Sequence, residues 1–158
     1  MELLPETEIT KRFWAAKVVV ARESDGHLLI LRRSIQDERR PGEPDFPGGE
    51  LETGETYAAA ARRETKQEAG IDLGGIALAP LCEITKLEDR DGTVVAVTQM
   101  LFHAMVEQQD LEIGDEHSGG GWYSPDEAAE MLAQHPTKLM AVTMLQQRSA
   151  GDELALAS

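Results

Sequence analysis

With one cysteine, Cys82, in 158 residues, the chain can close no internal disulfide and assemble no cysteine-based metal site. A reducing compartment, the cytoplasm, is therefore the expectation. Basic residues are scarce as well: 15 Lys and Arg face 29 Asp and Glu, and the net charge of −14 makes nucleic acid polymers and anionic membranes poor partners. No apolar run approaches the ~20 residues that span a bilayer. The start, Met1 to Glu6, has neither the basic residues nor the apolar stretch of a signal peptide. Internal repeats and low-complexity tracts are absent too. What remains is globular: 41% hydrophobic and 28% charged residues describe one domain, expected over residues 1–148, with 149–158 as a frayed, flexible tail.

The order of elements is legible from pattern. Phe13 to Ala21, built around Val18-Val19-Val20, and His27 to Leu31 are apolar runs joined through Ser24-Asp25-Gly26, the pattern of a β-hairpin. Ser34 to Pro44 is a polar, charged loop of the kind that carries specificity. Ile76 to Lys86 and Thr93 to Val106 are strand-like and meet at Asp91-Gly92, a hairpin signal. Cys82, next to the apolar stretch Ile76 to Leu81, reads as a small buried residue rather than a nucleophile. Gln108 to Gly121 reads as an acidic, glycine-rich loop and Trp122-Tyr123 as a short strand. Ser124-Pro125-Asp126-Glu127 carries a capping box and opens a helix to about Gln134. Thr137 to Arg148 reads as the last helix. Strands, one central helix, more strands and terminal helices predict an α/β fold with a mixed sheet between helices.

Chemistry concentrates in residues 49–71, GELETGETYAAAARRETKQEAGI. Pro47-Gly48-Gly49 is a tight turn whose backbone can approach an ion or a phosphate. Thr56 to Ala69, with four consecutive alanines, is a helix stopped by Gly70. At 100° per residue Glu64 and Glu68 share a face with Gln67 beside them, while Ala58, Ala61, Thr65 and Ala69 form a stripe of small residues that can press on a sheet. The carboxylates are thus expected off the packing face. Like charges one turn apart disfavour the helix by about 0.2–0.5 kcal/mol, so the pair asks for a cation. Oxygen donors without Cys or His favour Mg²⁺ or Mn²⁺ over zinc.

The same spacing, Gly49, Glu55, Arg63-Glu64, Glu68 and Gly70-Ile71, resembles the box that defines the Nudix hydrolases. It departs from the family in having Gln67 where a glutamate is usual and Thr65 where an aliphatic residue is usual. The resemblance implies a Nudix-type α/β/α sandwich and a divalent-metal-dependent pyrophosphohydrolase acting on a small nucleotide-like diphosphate. It also implies roles. The Gly48 carbonyl, Glu64, Gln67 and Glu68 would hold metal, with Glu68 central and the Gln67 amide a weaker ligand than a carboxylate. Arg63 would orient the acids through an ion pair with Glu55. Such enzymes recruit a further acid from a later loop, here Glu116 in preference to Asp115, with plain solvation as the alternative for both. His117 is a substrate contact or an exposed loop residue, and Trp122 a stacking platform or part of the core. Dimerisation is common in the family, so a homodimer is open.

Upstream, Arg33-Ser34, Gly42 and Phe46-Pro47-Gly48-Gly49 partly resemble the motif of coenzyme A pyrophosphatases, with Glu38 standing where that pattern has arginine. Arg33, Arg39, Arg40 and Phe46 are accordingly the candidate substrate contacts, and nucleoside triphosphates remain the default substrate. A different class stays open as well: a Nudix-fold protein that binds or senses a nucleotide, its catalysis weakened by Gln67.

Overall fold

The computed structural model of the chain describes residue 9 and residues 11–107 and 110–157, with side chains described to residue 151. The reading of Met1 to Glu6 and the first two residues of the loop expected from Gln108 fall outside the described residues. In chain order the elements are β1 (Lys11–Arg22), β2 (Leu28–Arg33), β3 (Pro44–Asp45), β4 (Gly48–Glu50), α1 (Tyr57–Ala69), β5 (Ala79–Arg90), β6 (Thr93–Val106), β7 (His117–Tyr123), α2 (Pro125–Met131) and α3 (Pro136–Ala157).

One mixed sheet joins all seven strands of the described residues. β1 is its centre. Along one edge β1 runs parallel to β6 from Lys11↔Val95 to Arg22↔Val106, and β5 closes antiparallel on β6 through the Asp91-Gly92 turn. The other edge is divided. β2 meets β1 at Ala21↔Leu28, whereas β4 takes the stretch Ala15↔Glu50, Ala16↔Gly49 and Lys17↔Gly48. β2 in turn carries β7 and, at its end, the two residues of β3.

From Ala15 to Ala21, β1 is buried on both faces, and its alternate residues feed two cores. Ala16, Val18 and Val20 pack with Leu29, Leu31 and the alanines of α1; Val19 and Ala21 pack with Leu28, Ile30, Phe46, Leu101 and the apolar sides of α2 and α3. The expected α/β/α sandwich follows directly, with α1 on one side and α2 and α3 on the other.

α1 starts after Thr56, whose hydroxyl accepts from the Ala59 N–H at 3.1 Å, and ends at Gly70. Its small residues bring it close to the sheet, and the buried Thr65 hydroxyl is satisfied by the Ala61 carbonyl at 2.7 Å. Several boundaries differ from the sequence reading: β5 runs Ala79–Arg90 rather than Ile76 to Lys86, α2 ends at Met131, and three others have a clear cause. β7 begins at His117 instead of Trp122, because Gly120 leaves room for Leu31 directly beneath it: a Cβ there would stand 2.7 Å from Leu31 Cδ2. Pro136 opens α3 instead of interrupting it, as suits a first-turn proline. Helix then continues to Ala157 where a tail was expected after Arg148, consistent with the helix-forming run Glu153-Leu154-Ala155-Leu156-Ala157. No helix of the described residues is long and apolar enough to cross a membrane.

Candidate active site

A cavity of about 290 Å³ lies over the part of β1 that pairs with β4. α1 brings Glu64 and Glu68 to it, β4 brings Gly48, Gly49 and Glu50, and the turn before β7 brings Glu116. Most of the remaining lining is basic: Lys17 from β1, Arg33 from β2, Arg39 and Arg40 from the loop after it, and Lys86 and Arg90 from β5.

The glycine turn sets the acids in place. Gly48 has φ of 148°, and a Cβ on it would run into the Ala16 carbonyl oxygen; a Cβ on Gly49 would stand 2.9 Å from Cδ of Glu64. Bare backbone therefore lets a carboxylate lie directly against β4. The Gly48 N–H donates to Glu68 Oε2 at 3.0 Å. Contrary to the expectation that both carboxylates stay clear of the packing face, Glu68 is only 5% exposed. Burial pushes its pKa up to about 8 against the pull of Lys17 and the Gly48 N–H, with Glu64 and Asp45 adding to the rise.

Arg63 organises the other acids. Its Nε and Nη2 donate side-on to Glu55 at 2.8 and 2.9 Å, its Nη1 donates to Glu64 Oε1 at 2.7 Å, and Nη2 reaches the Glu50 carbonyl at 3.2 Å. These bonds from Arg63, followed by one from the Glu52 N–H, hold the Glu55 carboxyl at about 2. The predicted Arg63–Glu55 pair is formed, and Arg63 steers Glu64 as well. Arg63→Ala is expected to lower kcat/KM about 10- to 100-fold, the usual cost of losing the group that orients a metal ligand. Steady-state kinetics across a Mg²⁺ titration check this; a variant with unchanged metal dependence would show that Arg63 serves the fold alone.

The donors available to a cation here are all oxygens, which suits Mg²⁺ or Mn²⁺. Among the described residues no three acids stand close enough to cage an ion by themselves. Glu64 and Glu68 are the pair, and Glu50 and Glu116 line the cavity without completing such a group. Mg²⁺ ordinarily takes one or two carboxylates and fills its shell with water and phosphate oxygens, so the pair fits it.

Several candidates sit elsewhere than the sequence suggested. Phe46 is fully buried in the core beneath α2 and α3, so its ring offers no surface to a substrate; only its carbonyl takes part, accepting from Lys17. Gln67 is exposed and does not line the cavity, because it lies about 100° around α1 from Glu68. Arg33 lines the cavity, but its guanidinium is engaged by Asp37 at 2.6 and 3.1 Å and by Asp45 at 3.2 Å. Arg39, Arg40 and Glu116 do line the cavity, while Asp115 does not. His117 is buried across from Arg33, not exposed, and among the described residues neither ring nitrogen has a hydrogen-bond partner. Trp122 and Tyr123 pack against the two cores.

Sequence reasoning passed over Asp45 and two of its three cations, Lys17 and Lys138. Asp45 is fully buried and accepts from Lys17 at 3.0 Å, Arg33 at 3.2 Å and the Phe46 N–H at 2.9 Å, with Lys138 of α3 at 3.4 Å. Lys17 also donates to the Phe46 and Gly48 carbonyls at 3.2 and 3.3 Å. A signal for Lys17 was present: it is the one charge in the apolar run of β1. Asp45, between two prolines, gave none.

The NUDIX domain family matches residues 11–142, most of the chain. A Nudix hydrolase of Deinococcus radiodurans is 27% identical over 130 residues, covering 80% of this chain and 74% of that protein. Among solved structures, a C. elegans Ap4A hydrolase in a binary complex aligns with a TM-score of 0.68 at 23% identity, over 88% of this chain and 98% of that one. The E. coli dihydroneopterin triphosphate pyrophosphohydrolase aligns at 0.69 and 21%, over 82% and 91%. At these identities the structural likeness speaks for the fold, and the sequence match carries the family. Because that match runs through the divided β1 edge, the glycine turn and α1 alike, the chain belongs to the NUDIX family and is a hydrolase acting on pyrophosphate bonds.

Proposed function

We propose that this hydrolase depends on a divalent cation, Mg²⁺ with Mn²⁺ as a substitute, and cleaves the diphosphate linkage of a nucleoside diphosphate derivative or a nucleoside triphosphate. The observation that carries the reading is Glu68: a carboxyl buried beside Glu64 and Asp45, its pKa raised to about 8, is a group that a cation would stabilise in its charged form. When bound, the ion supplies charge neutralisation on phosphate oxygens and acidifies water.

The chain's own residues do the rest. Glu64 and Glu68, with the Gly48 carbonyl, hold the ion. Arg63 fixes Glu64 and, through Glu55, the loop before α1. Glu116 stands at the cavity as a further ligand or as the base that takes a proton from water. Arg39 and Arg40 receive phosphate charge. Cys82, half-buried and alone, suits a reducing cytoplasm. The two structural neighbours are named for different substrates, Ap4A and dihydroneopterin triphosphate, so likeness of fold leaves the substrate to the cavity.

The test is product analysis by chromatography after incubation with nucleoside triphosphates, nucleotide sugars, dinucleotides and coenzyme A. Expected is release of a monophosphate, or of phosphate or pyrophosphate, that requires Mg²⁺ or Mn²⁺ and stops with a chelator. Binding of the panel with no cleavage under either metal would favour the nucleotide-sensing alternative.

A further inference from the structure

The glycine turn is wrapped around an ammonium group. Lys17 Nζ donates to Asp45 Oδ2 at 3.0 Å and to the Phe46 and Gly48 carbonyls at 3.2 and 3.3 Å, so oxygens from the whole turn 45–48 converge on it. Gly48 is shaped to admit it: a Cβ there would stand 2.7 Å from Lys17 Cδ, and the lysine stem crosses the bare glycine. The ladder from β1 to β4 bonds through Val18–Pro47 and Trp14–Leu51, which leaves Lys17 and Gly48 opposed in register without a main-chain bond to each other. Gly48 is therefore held from two sides, its N–H by Glu68 Oε2 at 3.0 Å and its carbonyl by Lys17.

Oxygens gathered this closely repel one another unless a cation sits among them, and Asp45 adds a full negative charge. Arg33 and Lys138 meet Asp45 as well, with Lys138 bonding to the Pro44 carbonyl at 2.8 Å, but it is Lys17 that joins Asp45 to Gly48. Of the charges acting on Asp45 and on Glu68, that of Lys17 pulls hardest on each. Only 9% of its side chain is exposed, yet it lines the cavity with Glu64 and Glu68. A lysine ammonium is a compact point charge, and a carbonyl oxygen has two lone pairs, so Gly48 can accept from Lys17 and still offer oxygen to a metal.

We propose that Lys17 is a positioning residue whose ammonium serves the turn as a tethered monovalent cation, gathering the Asp45, Phe46 and Gly48 oxygens so that the Gly48 carbonyl is presented to the divalent ion. This rests on the reading that the site holds such an ion.

The test supplies the cation from solution to the full chain. Lys17→Ala removes the stem beyond Cβ together with the charge; n-propylammonium replaces both, and n-propanol replaces shape without charge. By calorimetry the variant is expected to bind Mg²⁺ about tenfold or more weakly than wild type, the usual cost of losing a group that orients a ligand. Added n-propylammonium is expected to recover most of that loss, whereas n-propanol and tetramethylammonium recover none. Thermal melts in chelator should show the same selectivity: the variant gains about 3–5 °C at about ten times the dissociation constant of n-propylammonium, and wild type gains nothing. Lys17→Met fills the stem and should respond to none of these additives.

Equal recovery by n-propanol, a folded Lys17→Ala that no additive improves, or Mg²⁺ binding that tightens in the variant overturns the proposal; the last is the sign of plain repulsion between two cations. If wild type binds neither Mg²⁺ nor Mn²⁺, the divalent-ion reading fails on its own, and the melts still decide for or against the tethered cation. If Lys17→Ala is unfolded in every additive, the ammonium resonance of Lys17 in isotope-labelled wild type decides: movement as Mg²⁺ binds supports the proposal, and an unmoved signal overturns it.

Discussion

Glu68→Gln is expected to cut turnover about a thousandfold, since a carboxylate that holds a catalytic ion contributes several kcal/mol of charge stabilisation in the transition state. The fold should not suffer. The amide has nearly the same shape, its oxygen can accept from the Gly48 N–H as Glu68 Oε2 does at 3.0 Å, and like the protonated acid it places no charge beside Glu64 and Asp45. Between the ordinary 4.5 and about 8, metal-free folded protein keeps a proton on Glu68 that the unfolded chain has lost. Rising pH in that window therefore costs the wild type stability, and the variant escapes this loss. Initial rates, together with thermal melts in chelator at pH 5 and pH 8, check both halves. Turnover within about tenfold of wild type would remove Glu68 from the site, and a large drop in melting temperature would make it a structural residue.

Asp45→Asn should produce the largest loss of stability. The carboxylate is fully buried and meets Lys17, Arg33 and Lys138, and removing its charge strands two lysines that are themselves mostly buried. Breaking such a cluster from one side costs about 3–5 kcal/mol. The lower end is expected, because Lys17 retains the Phe46 and Gly48 carbonyls and Lys138 the Pro44 carbonyl at 2.8 Å. That corresponds to a fall in melting temperature on the order of 10 °C. Burial alone would raise the pKa of Asp45, but the charges of Lys17 and Lys138, then that of Arg33, outweigh it and hold the group well below its ordinary 3.8. A depressed folded-state pKa gives stability that is complete above 3.8 and is lost as pH falls toward the folded value. The gap between wild type and Asp45→Asn should thus be constant at neutral pH and narrow below about pH 4. A gap that stays open in acid would mean that the side chain acts through shape rather than charge.

Apolar runs and turn signals were enough to read β1, β5 and β6, and the alanine-rich stretch closed by Gly70 was enough to read α1, because each of these signals is local in sequence. The box could be read for a related reason: Gly48, Glu55, Arg63, Glu64 and Glu68 lie within one local stretch, so helix geometry alone relates most of them. Phe46 and Gln67 were misplaced because a motif gives neighbourhood and not direction; one ring turned into the core and one amide turned to solvent. Asp45, Lys86, Arg90 and Lys138 come from three separate elements, β3, β5 and α3, brought together by the sheet and α3, and no local pattern relates the three. Lys17 lies between these cases, visible as an odd charge in an apolar strand but without a partner until the fold supplies Asp45.

Lys138 has a consequence for how the protein is made. It donates to the Pro44 carbonyl across 94 positions of sequence and contacts Asp45, yet it belongs to the C-terminal helix. A nascent chain can complete the glycine turn and α1 well before α3 leaves the ribosome, but Asp45 then faces two cations instead of three. The ion cluster around Asp45 is thus completed only once α3 has been synthesised, so on the ribosome it should form late, behind the sheet that supports it.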